Sequence, residues 1–327
     1  MTNVLVTGGA GSIGSYVCEY LVARGENVIA LDNGPSLKVE HLFDSGRFSF
    51  VQDSVLNKDM IERLVDKVDV VIHLAAIADP KRYVTEPLNV LNVNLKGSLY
   101  LLDRCASQKK KFIFASTSEV LGRNPKVPWN EDADRVLGPP SINRWCYSTG
   151  KALIEHYCYA YGQQESLPFV IMRFFNVYGP RCDDLGQGRV IPIFLEKFLK
   201  GEPVVVHGDG KQTRCFTFIE DTANAVVELS LNPKAQGMCF NVGSDRETSI
   251  LELAENMKRV GGFANELVFK PHLEIFGKSY EDIPRRIPDV GRIKEVIGWQ
   301  ATTELEDGLK RTIDFYRPTA SASVTGR

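Results

Sequence analysis

Several features that would fix a compartment or a partner are missing from this sequence of 327 residues. Its seven cysteines form an odd number and include no Cys-x-x-Cys pair, which argues against a disulfide framework and against a zinc site. No apolar run reaches the roughly 18 residues that a membrane-spanning helix needs. The net charge of −2 gives no overall attraction to nucleic acid or to an anionic membrane.

What is present is ordinary for a globular protein, with 43% hydrophobic and 24% charged residues. The chain enters a strand-like run at once, without the basic stretch and apolar core of a secretory signal peptide. We therefore expect a soluble cytoplasmic protein with no metal, no membrane partner and no nucleic-acid partner.

Three glycines follow the first strand-like run, residues 4–7, and precede a helical pattern over 16–23. Gly8, Gly11 and Gly14 give the spacing G-x-x-G-x-x-G in the order strand, turn, helix. Glycines in that context let the backbone approach a pyrophosphate, which then lies on the helix N-terminus. The next strand-like run ends at Asp32, whose carboxylate would accept hydrogen bonds from a ribose diol and repel a 2′-phosphate. The pattern predicts NAD binding.

Strand-like and helical patterns go on alternating after Asp32. Further strands are predicted over 48–53, 68–76 and 111–116, and a helix over 92–105. This alternation indicates an α/β protein with a Rossmann-like, doubly wound parallel sheet and a site at the carboxyl ends of its strands. Small residues after the fourth strand, Ala75 and Ala76, would let a cofactor lie close, and His73 is interpreted as a packing residue.

A tyrosine and a lysine lie one helical turn apart at Tyr147 and Lys151, in a helix predicted over 148–161. That spacing brings both side chains to one helix face. An ammonium group near a phenol favours the phenolate, which can act as a base toward an alcohol. Hydroxyl groups at Thr117 and Ser118, at the end of the fifth strand, can bond the reacting alcohol.

The chain resembles the extended short-chain dehydrogenase/reductase family over about residues 4–315. Five motifs in the same order carry the resemblance: T-G-x-x-G-x-x-G, an aspartate, H-L-A-A, S-T-S and Y-x-x-x-K. The resemblance implies enzymes that hold NAD tightly and act on nucleotide sugars. It implies an oxidising centre of Tyr147, Lys151 and Thr117 or Ser118. It also implies that Tyr147 and Lys151 contact the cofactor. The other cofactor-binding residues that it implies are Gly8, Gly11, Ser12, Ile13, Gly14, Asp32, Asn33, Asp53, Ser54, Leu74, Ala75, Ala76 and Asn94.

The same resemblance divides the chain. It implies an NAD-binding domain over 1–175 with a return segment at about 215–245, a sugar-nucleotide lobe over 176–317, and a flexible tail over 318–327. Asn176, Arg214 and Arg286 are implied to hold the diphosphate, and the region around Val190 to flank the base. Pro80, Tyr83 and Tyr280 complete the implied substrate site. A homodimer through the helices over 92–105 and 148–161 is implied as well.

The reaction depends on Glu119. An acid there is similar to 4,6-dehydratases and uronate decarboxylases, whereas 4-epimerases usually have a small or hydroxyl residue. The segments containing Pro80 and Tyr83, Arg144 and Trp145, and residues 277–288 resemble UDP-apiose/UDP-xylose synthase and a lipid A pathway decarboxylase. We therefore expect UDP-glucuronate to lose CO₂ after oxidation at C4, giving a UDP-pentose or a UDP-4-keto-pentose. Glu119 and Arg286 would manage proton delivery at C5 and orient the carboxylate.

Three departures from the pattern keep other reactions open. Leu121 replaces the usual tyrosine of S-E-V-Y-G, Gly150 stands where serine or alanine is commoner, and 173–176 follows the epimerase style. A uronate 4-epimerase or a 4,6-dehydratase therefore remains an alternative. A non-catalytic NAD-sensing protein is a more distant one, since fold does not fix function.

Overall fold

The computed structural model describes residues 1–182, 184–186, 188–271, 283 and 285–324. Tyr280, and with it most of the segment that resembles the decarboxylases, lies outside the described residues.

The strands come mostly from β-branched and aromatic runs. They are β1 (Asn3–Thr7), β2 (Asn27–Asp32), β3 (Phe48–Gln52), β4 (Val70–His73), β5 (Lys111–Thr117), β6 (Phe169–Phe174), β7 (Val177–Tyr178), β8 (Val204–His207), β9 (Thr213–Cys215), β10 (Thr217–Phe218), β11 (Met238–Val242), β12 (Glu247–Ser249) and β13 (Leu267–Lys270).

The helices are mostly amphipathic segments between those strands. They are α1 (Ser12–Ala23), α2 (Lys58–Val65), α3 (Pro80–Thr85), α4 (Pro87–Leu91), α5 (Gly97–Ser107), α6 (Cys146–Glu165), α7 (Val190–Lys200), α8 (Ile219–Leu231), α9 (Ile250–Gly261), α10 (Gly291–Ile297) and α11 (Leu305–Val324).

Seven parallel strands form the main sheet in the order β11-β6-β5-β4-β1-β2-β3. The strand order reverses between β1 and β4, where Thr7 is paired with His73. Such a reversal opens a crevice at the carboxyl ends of the strands, where ligands bind in doubly wound sheets. The predicted fold class is confirmed.

Alternating side chains of each strand enter separate apolar cores on the two faces of the sheet. Val4 and Val6 of β1 pack in a cluster with residues of α1 and α8. Leu5, between them, packs in a cluster with residues of α2, α5 and α6. Helices therefore cover both faces, which explains why the strands read as continuous apolar runs.

A third apolar cluster holds together α7, α9, α11 and the short strands β8 and β10. β8 pairs with β13, β9 with β12 and β7 with β10, each as a separate small sheet. These elements lie mainly within the range predicted for the sugar-nucleotide lobe. The domain boundary itself stays a prediction.

Several helix bounds differ from those predicted. α1 begins at Ser12, so that Gly14 is part of the helix, and α6 begins at Cys146, so that it includes Tyr147. Ser249 caps α9 through a reciprocal capping box with Glu252. α11 runs through Pro318 to Val324, into the range predicted as a tail, because alanine and serine there permit a helix. No helix of the described part is long and apolar enough to cross a bilayer.

Candidate active site

The glycine turn between β1 and α1 brings backbone segments into contact. Gly8 has a φ of +72°, and a Cβ there would lie 2.8 Å from the backbone nitrogen of Ala75. A Cβ on Gly14 would lie 2.0 Å from the carbonyl oxygen of Gly8. Side chains are therefore excluded from this turn, and the N-terminus of α1 stays open to an anion such as a pyrophosphate. The turn fits a dinucleotide.

Two carboxylates lie next to this turn, Asp32 at the end of β2 and Asp53 just after β3. The Asp32 side chain accepts hydrogen bonds from the backbone nitrogens of Ala10 (3.1 Å) and Gly34 (2.9 Å). Asp53 accepts from the backbone nitrogen of Ser54 at 2.6 Å, and its own backbone nitrogen donates to the carbonyl of Asp32 at 3.0 Å. The loops that end these strands are thus fixed to one another and to the glycine turn.

Asn94 lies in a π-helical turn, Asn92–Lys96, between α4 and α5. Its buried amide donates to the carbonyl of Ile77 at 3.0 Å and accepts from the nitrogen of Ile77 at 2.8 Å. The residue therefore fixes the segment that follows Leu74, Ala75 and Ala76. π-Turns of this kind are frequent at functional sites.

His73 is fully enclosed beneath the same crevice. Its Nδ1 and Nε2 atoms make hydrogen bonds of 2.7 Å with Thr7 and 2.8 Å with Ser98. Burial, and then the nearby Lys151, lowers the pKa of His73 to about 3, so the ring is neutral. This agrees with its interpretation as a packing residue.

The remaining predicted cofactor residues border the same crevice. Ser12 donates from Oγ to the carbonyl of Cys182, which lies beyond the predicted domain boundary. Ile13 is half-buried near the start of α1, Asn33 is exposed after β2, and Ser54 is half-buried after β3. The fold thus gathers these residues at the carboxyl ends of neighbouring strands.

Tyr147 and Lys151 lie on the buried side of α6. The Nζ atom of Lys151 is 6.0 Å from the centre of the Tyr147 ring and donates to the carbonyl of Ala115 at 2.7 Å. Thr117, at the end of β5, acts to lower the pKa of Tyr147. The phenol and the ammonium therefore lie on the same helix face, as the spacing predicts.

The predicted effect of Lys151 on the phenol is wrong for the protein alone. Burial, reinforced by Glu119, raises the pKa of Tyr147 well above its ordinary value. Burial also lowers the pKa of Lys151 to about 7, with Glu155 opposing this change. Loss of solvation therefore outweighs the attraction between the two groups, because each is fully enclosed.

Tyr83 stacks on Tyr147. The ring centres are 4.5 Å apart and the planes differ by 8°. Tyr83 belongs to α3, whose first turn contains Pro80. The resemblance implies that Pro80 and Tyr83 contact the substrate, but the ring of Tyr83 is buried against another side chain.

A buried carboxylate lies beside this pair of tyrosines. Glu119 follows β5, its Oε2 atom accepts from Arg144 at 2.7 Å, and its Oε1 atom accepts from Arg286 at 3.4 Å. Burial alone would raise the pKa of Glu119, but Arg144, Arg286 and the more distant Arg214 outweigh it and lower the pKa. Glu119 is therefore ionised at neutral pH.

One of the two guanidinium groups that contact Glu119 keeps an unused donor within the described part of the chain. The Nε atom of Arg286 is buried and has no hydrogen-bond partner in the part of the chain that the structure describes. An enclosed N–H without a partner is costly, and an anionic ligand would relieve that cost. The cluster can thus accept a further carboxylate or phosphate.

The other predicted substrate residues are spread over the second half of the chain. Asn176 has a φ of +35° and donates to the carbonyl of Cys215 at 3.0 Å. Arg214 is buried and donates to the carbonyl of Ile283 at 2.8 Å. Val190 is half-buried at the start of α7, and Ser118 is buried beside Glu119.

Two charged residues at this site were not predicted. Arg144 binds Glu119, and its place three residues before Tyr147 was the available signal. Arg189 lies just before α7 and opposes the rise in the pKa of Tyr147, an effect that no local pattern indicates.

Comparison with known proteins gives consistent results. Residues 4–243 match the model of the NAD dependent epimerase/dehydratase family. UDP-N-acetyl-alpha-D-glucosaminuronate decarboxylase from Bacillus cytotoxicus is 40% identical over 316 residues, which are 96% of this chain and 97% of that protein. UDP-glucuronic acid decarboxylase 1 from Xenopus tropicalis is 34% identical over 318 residues, 96% of this chain and 72% of its own length.

A solved structure extends the likeness to the whole fold. UDP-glucuronic acid 4-epimerase from Bacillus cereus, in complex with UDP-glucuronic acid and NAD, superposes with a TM-score of 0.85 at 27% identity. The match covers 97% of this chain and 99% of that one.

Proposed function

Because the chain belongs to the NAD dependent epimerase/dehydratase family, whose members are enzymes acting on nucleotide sugars, we propose that it decarboxylates UDP-glucuronate. One observation carries the proposal: Glu119 is shared by Arg144 and Arg286 next to Tyr147. Two guanidinium groups thus converge next to the proposed base, and the buried Nε atom of Arg286 has no hydrogen-bond partner among the described residues. A carboxylate on the sugar is an acceptor that matches this N–H group.

The cofactor of the family is NAD, and the glycine turn, Asp32 and Asp53 provide a cradle for it. Bound there, NAD⁺ would supply the hydride acceptor for oxidation at C4. Tyr147 takes the proton of the C4 hydroxyl group, helped by Lys151 and Thr117. Because both Tyr147 and Lys151 are buried, solvent does not compete for that proton.

Oxidation at C4 makes the C6 carboxylate part of a β-keto acid. The bond between C5 and C6 then breaks, CO₂ leaves, and the electron pair enters an enolate over C4 and C5. Tyr147, now protonated, and Thr117 donate hydrogen bonds to the enolate oxygen. C5 takes a proton from solvent, and the 4-keto sugar is either released or reduced to the pentose.

Glu119 acts here as an anion that orients arginines. Its lowered pKa keeps it ionised, so proton delivery to C5 is not its part in this scheme. It holds Arg144 and Arg286 in place, and the Nε–H group of Arg286 can then bind the sugar carboxylate. Arg214 and Asn176 are assigned to the diphosphate, as the resemblance implies.

The names of the relatives support a decarboxylase, but the substrates in those names differ at C2 of the sugar. The Bacillus cytotoxicus protein, at 40% identity, is named for an N-acetylated uronate, and the Xenopus protein, at 34%, for the plain one. An N-acetylated substrate is therefore the second candidate. The Bacillus cereus epimerase keeps 4-epimerisation as an alternative outcome at the same site.

The test is to incubate the purified protein with NAD⁺ and either UDP-glucuronate or its N-acetylated counterpart, and to follow products by mass spectrometry. Loss of the mass of CO₂, abolished by Tyr147→Phe, is the expected result. An unchanged mass with inversion at C4 would assign epimerisation instead. Loss of water from neutral nucleotide hexoses would overturn the proposal in favour of a dehydratase.

We also propose a homodimer in the cytoplasm. Leu153 and Tyr157 expose apolar surface on α6, one of the helices expected to pair between subunits. The net charge of −2 gives no overall attraction to nucleic acid, so we propose no nucleic-acid partner. Sedimentation of the purified protein would show a particle of twice the chain mass if the dimer forms.

A further inference from the structure

We propose that Arg181 is a positioning residue for the cofactor: it fixes the loop after β2 against α1, and the protein releases NAD more slowly as a result. The inference rests on the cofactor of the proposed function and not on the fate of the sugar. Arg181 follows the short strand β7 by three residues, in the range predicted for the sugar-nucleotide lobe. A role toward NAD is therefore not implied by its place in the sequence.

The guanidinium group of Arg181 lies against α1. Its Nη1 atom donates to Glu19 Oε1 at 2.6 Å and to Ser15 Oγ at 3.4 Å. Its Cζ atom lies 4.0 Å from the centre of the buried Tyr16 ring, a cation–π distance. Residues three and four apart share one helix face, so all three partners lie on the same side of α1. They hold the guanidinium group in one place.

The same guanidinium group reaches the loop after β2. Arg181 Nη1 lies 3.3 Å from the carbonyl oxygen of Lys38 and donates to it. In return, Lys38 Nζ donates to the carbonyl oxygen of Arg181 at 3.0 Å. Each residue thus uses its side chain to bind the backbone of the other. Neither backbone segment can move away without breaking both hydrogen bonds.

The next residue continues the contact toward the glycine turn. The carbonyl oxygen of Cys182 accepts a hydrogen bond from Oγ of Ser12, the first residue of α1. That end of the helix is the one that the glycine turn leaves open to a pyrophosphate. Residues 181–182 therefore contact α1 from its N-terminus to Glu19 and join it to the loop after β2.

The backbone of Arg181 is in an unfavourable conformation. Its φ is +61°, in the left-handed region that residues with a Cβ atom seldom adopt. Such a conformation persists where the surrounding contacts determine it. Glu19 and Lys38 supply those contacts. The position therefore holds an arginine where the backbone alone would favour glycine, which indicates that the side chain serves a purpose.

The segment tied down by Arg181 begins at the cofactor cradle. Asp32 ends β2, Asn33 follows it, and Lys38 ends the next short 3₁₀ turn, Ser36–Lys38. Binding costs less free energy when the loop that contacts the ligand is already ordered. Fixing this loop to α1 therefore favours the bound cofactor.

This ion pair differs from an ordinary surface pair. The Arg181 and Glu19 side chains are each 22% exposed, whereas those of Arg24 and Glu228, which join the end of α1 to α8, are 41% and 36% exposed. Exposed pairs contribute little, because water and salt screen them. The structure therefore offers two arginine–glutamate pairs on one helix, of which only the first contacts the loop after β2.

The test is Arg181→Met, which keeps most of the side-chain length and removes every donor. The full-length protein is loaded with labelled NAD⁺ and chased with an excess of unlabelled NAD⁺, and the rate of release is measured. We expect release to be about tenfold faster than from the wild type. An unchanged rate would overturn the proposal.

The matched control is Arg24→Met. It removes an arginine–glutamate pair from the same helix and leaves the loops after β2 and β7 untouched, so NAD⁺ release should stay at the wild-type rate. Equal acceleration in both variants would mean that any loosening of α1 releases the cofactor, and would contradict a specific role for Arg181.

Lys38→Met is a second, milder variant. It removes the hydrogen bond to the Arg181 carbonyl and keeps the guanidinium group, so release should be about threefold faster. This variant decides the question if Arg181→Met does not fold, and a wild-type rate would contradict the proposal.

The release experiment needs no sugar nucleotide. It therefore reports on the loop even if UDP-glucuronate is not the substrate. Failure of the proposed function would appear instead as an absence of CO₂ release by the wild-type protein.

Discussion

Two buried glutamates, Glu155 and Glu119, are each paired with arginine in different parts of this molecule. They differ in how many guanidinium groups contact the carboxylate. Glu155 of α6 receives both nitrogens of one guanidinium, Arg173 Nε at 3.0 Å and its terminal nitrogen at 2.6 Å. Ser116 adds a further hydrogen bond. One cation balances one anion, and both oxygens of the carboxylate are used.

Glu119 is bound in another way. Two separate arginines, Arg144 at 2.7 Å and Arg286 at 3.4 Å, each reach one oxygen. In the first cluster one guanidinium group satisfies both carboxylate oxygens, whereas in the second the Arg286 guanidinium has a buried nitrogen without a partner among the described residues. A complete ion pair fixes α6 against the sheet. An incomplete one is suited to bind an anion.

The largest expected effect comes from breaking the complete pair with Arg173→Met. Glu155 would stay buried without its cation, and such changes cost about 3–5 kcal/mol of unfolding free energy. Denaturant titration measures the loss. Lys197→Met, which removes an exposed ion pair with Glu202, is the control and should cost about 1 kcal/mol or less. A loss for Arg173→Met as small as the control's would mean that Glu155 is not held by charge.

Glu119→Gln should reduce activity much more than it reduces stability. It removes the anion but preserves shape and an acceptor oxygen, so we expect the unfolding free energy to change by about 2 kcal/mol or less. Turnover should fall about 100-fold, because the two arginines lose the group that orients them. Steady-state kinetics and denaturant titration on the same preparation compare the two effects. Full activity would place the reacting sugar away from Glu119.

Arg286→Gln should have the smallest effect, confined to binding. Loss of one charged hydrogen bond to the sugar carboxylate should raise KM for UDP-glucuronate about tenfold, and leave the affinity for neutral UDP-glucose unchanged. The control is Arg285→Gln, because the adjacent Arg285 pairs with Glu247 on the surface through two contacts of 2.8 Å. Equal losses for both nucleotides would assign Arg286 to the diphosphate.

Local patterns were sufficient for much of the fold. The glycine turn, the alternation of strands and helices and the spacing of Tyr147 and Lys151 all depend on neighbours in the chain. Backbone geometry links such neighbours directly, so the parallel sheet and the proximity of the phenol and the ammonium could be predicted. Helix starts were less accurate, because the cap residues Gly11 and Trp145 make no side-chain capping hydrogen bond.

Contacts between distant segments could not be predicted in the same way. Tyr83 meets Tyr147 because α3 packs against the start of α6, and Arg286 meets Glu119 across 167 residues of the chain. The direction of the pKa shift of Tyr147 also depended on enclosure by several elements. No spacing in the sequence encodes how completely a side chain is enclosed.

The sequence by itself therefore determined the parallel sheet, the NAD-binding turn and the family to which the chain belongs, because these follow from short-range periodicity and steric limits on the backbone. Only the tertiary structure decided which charged and aromatic side chains meet. Solvation and Coulomb interactions act through space, so the arginines around Glu119 and the stacked phenols come together only once distant elements have packed.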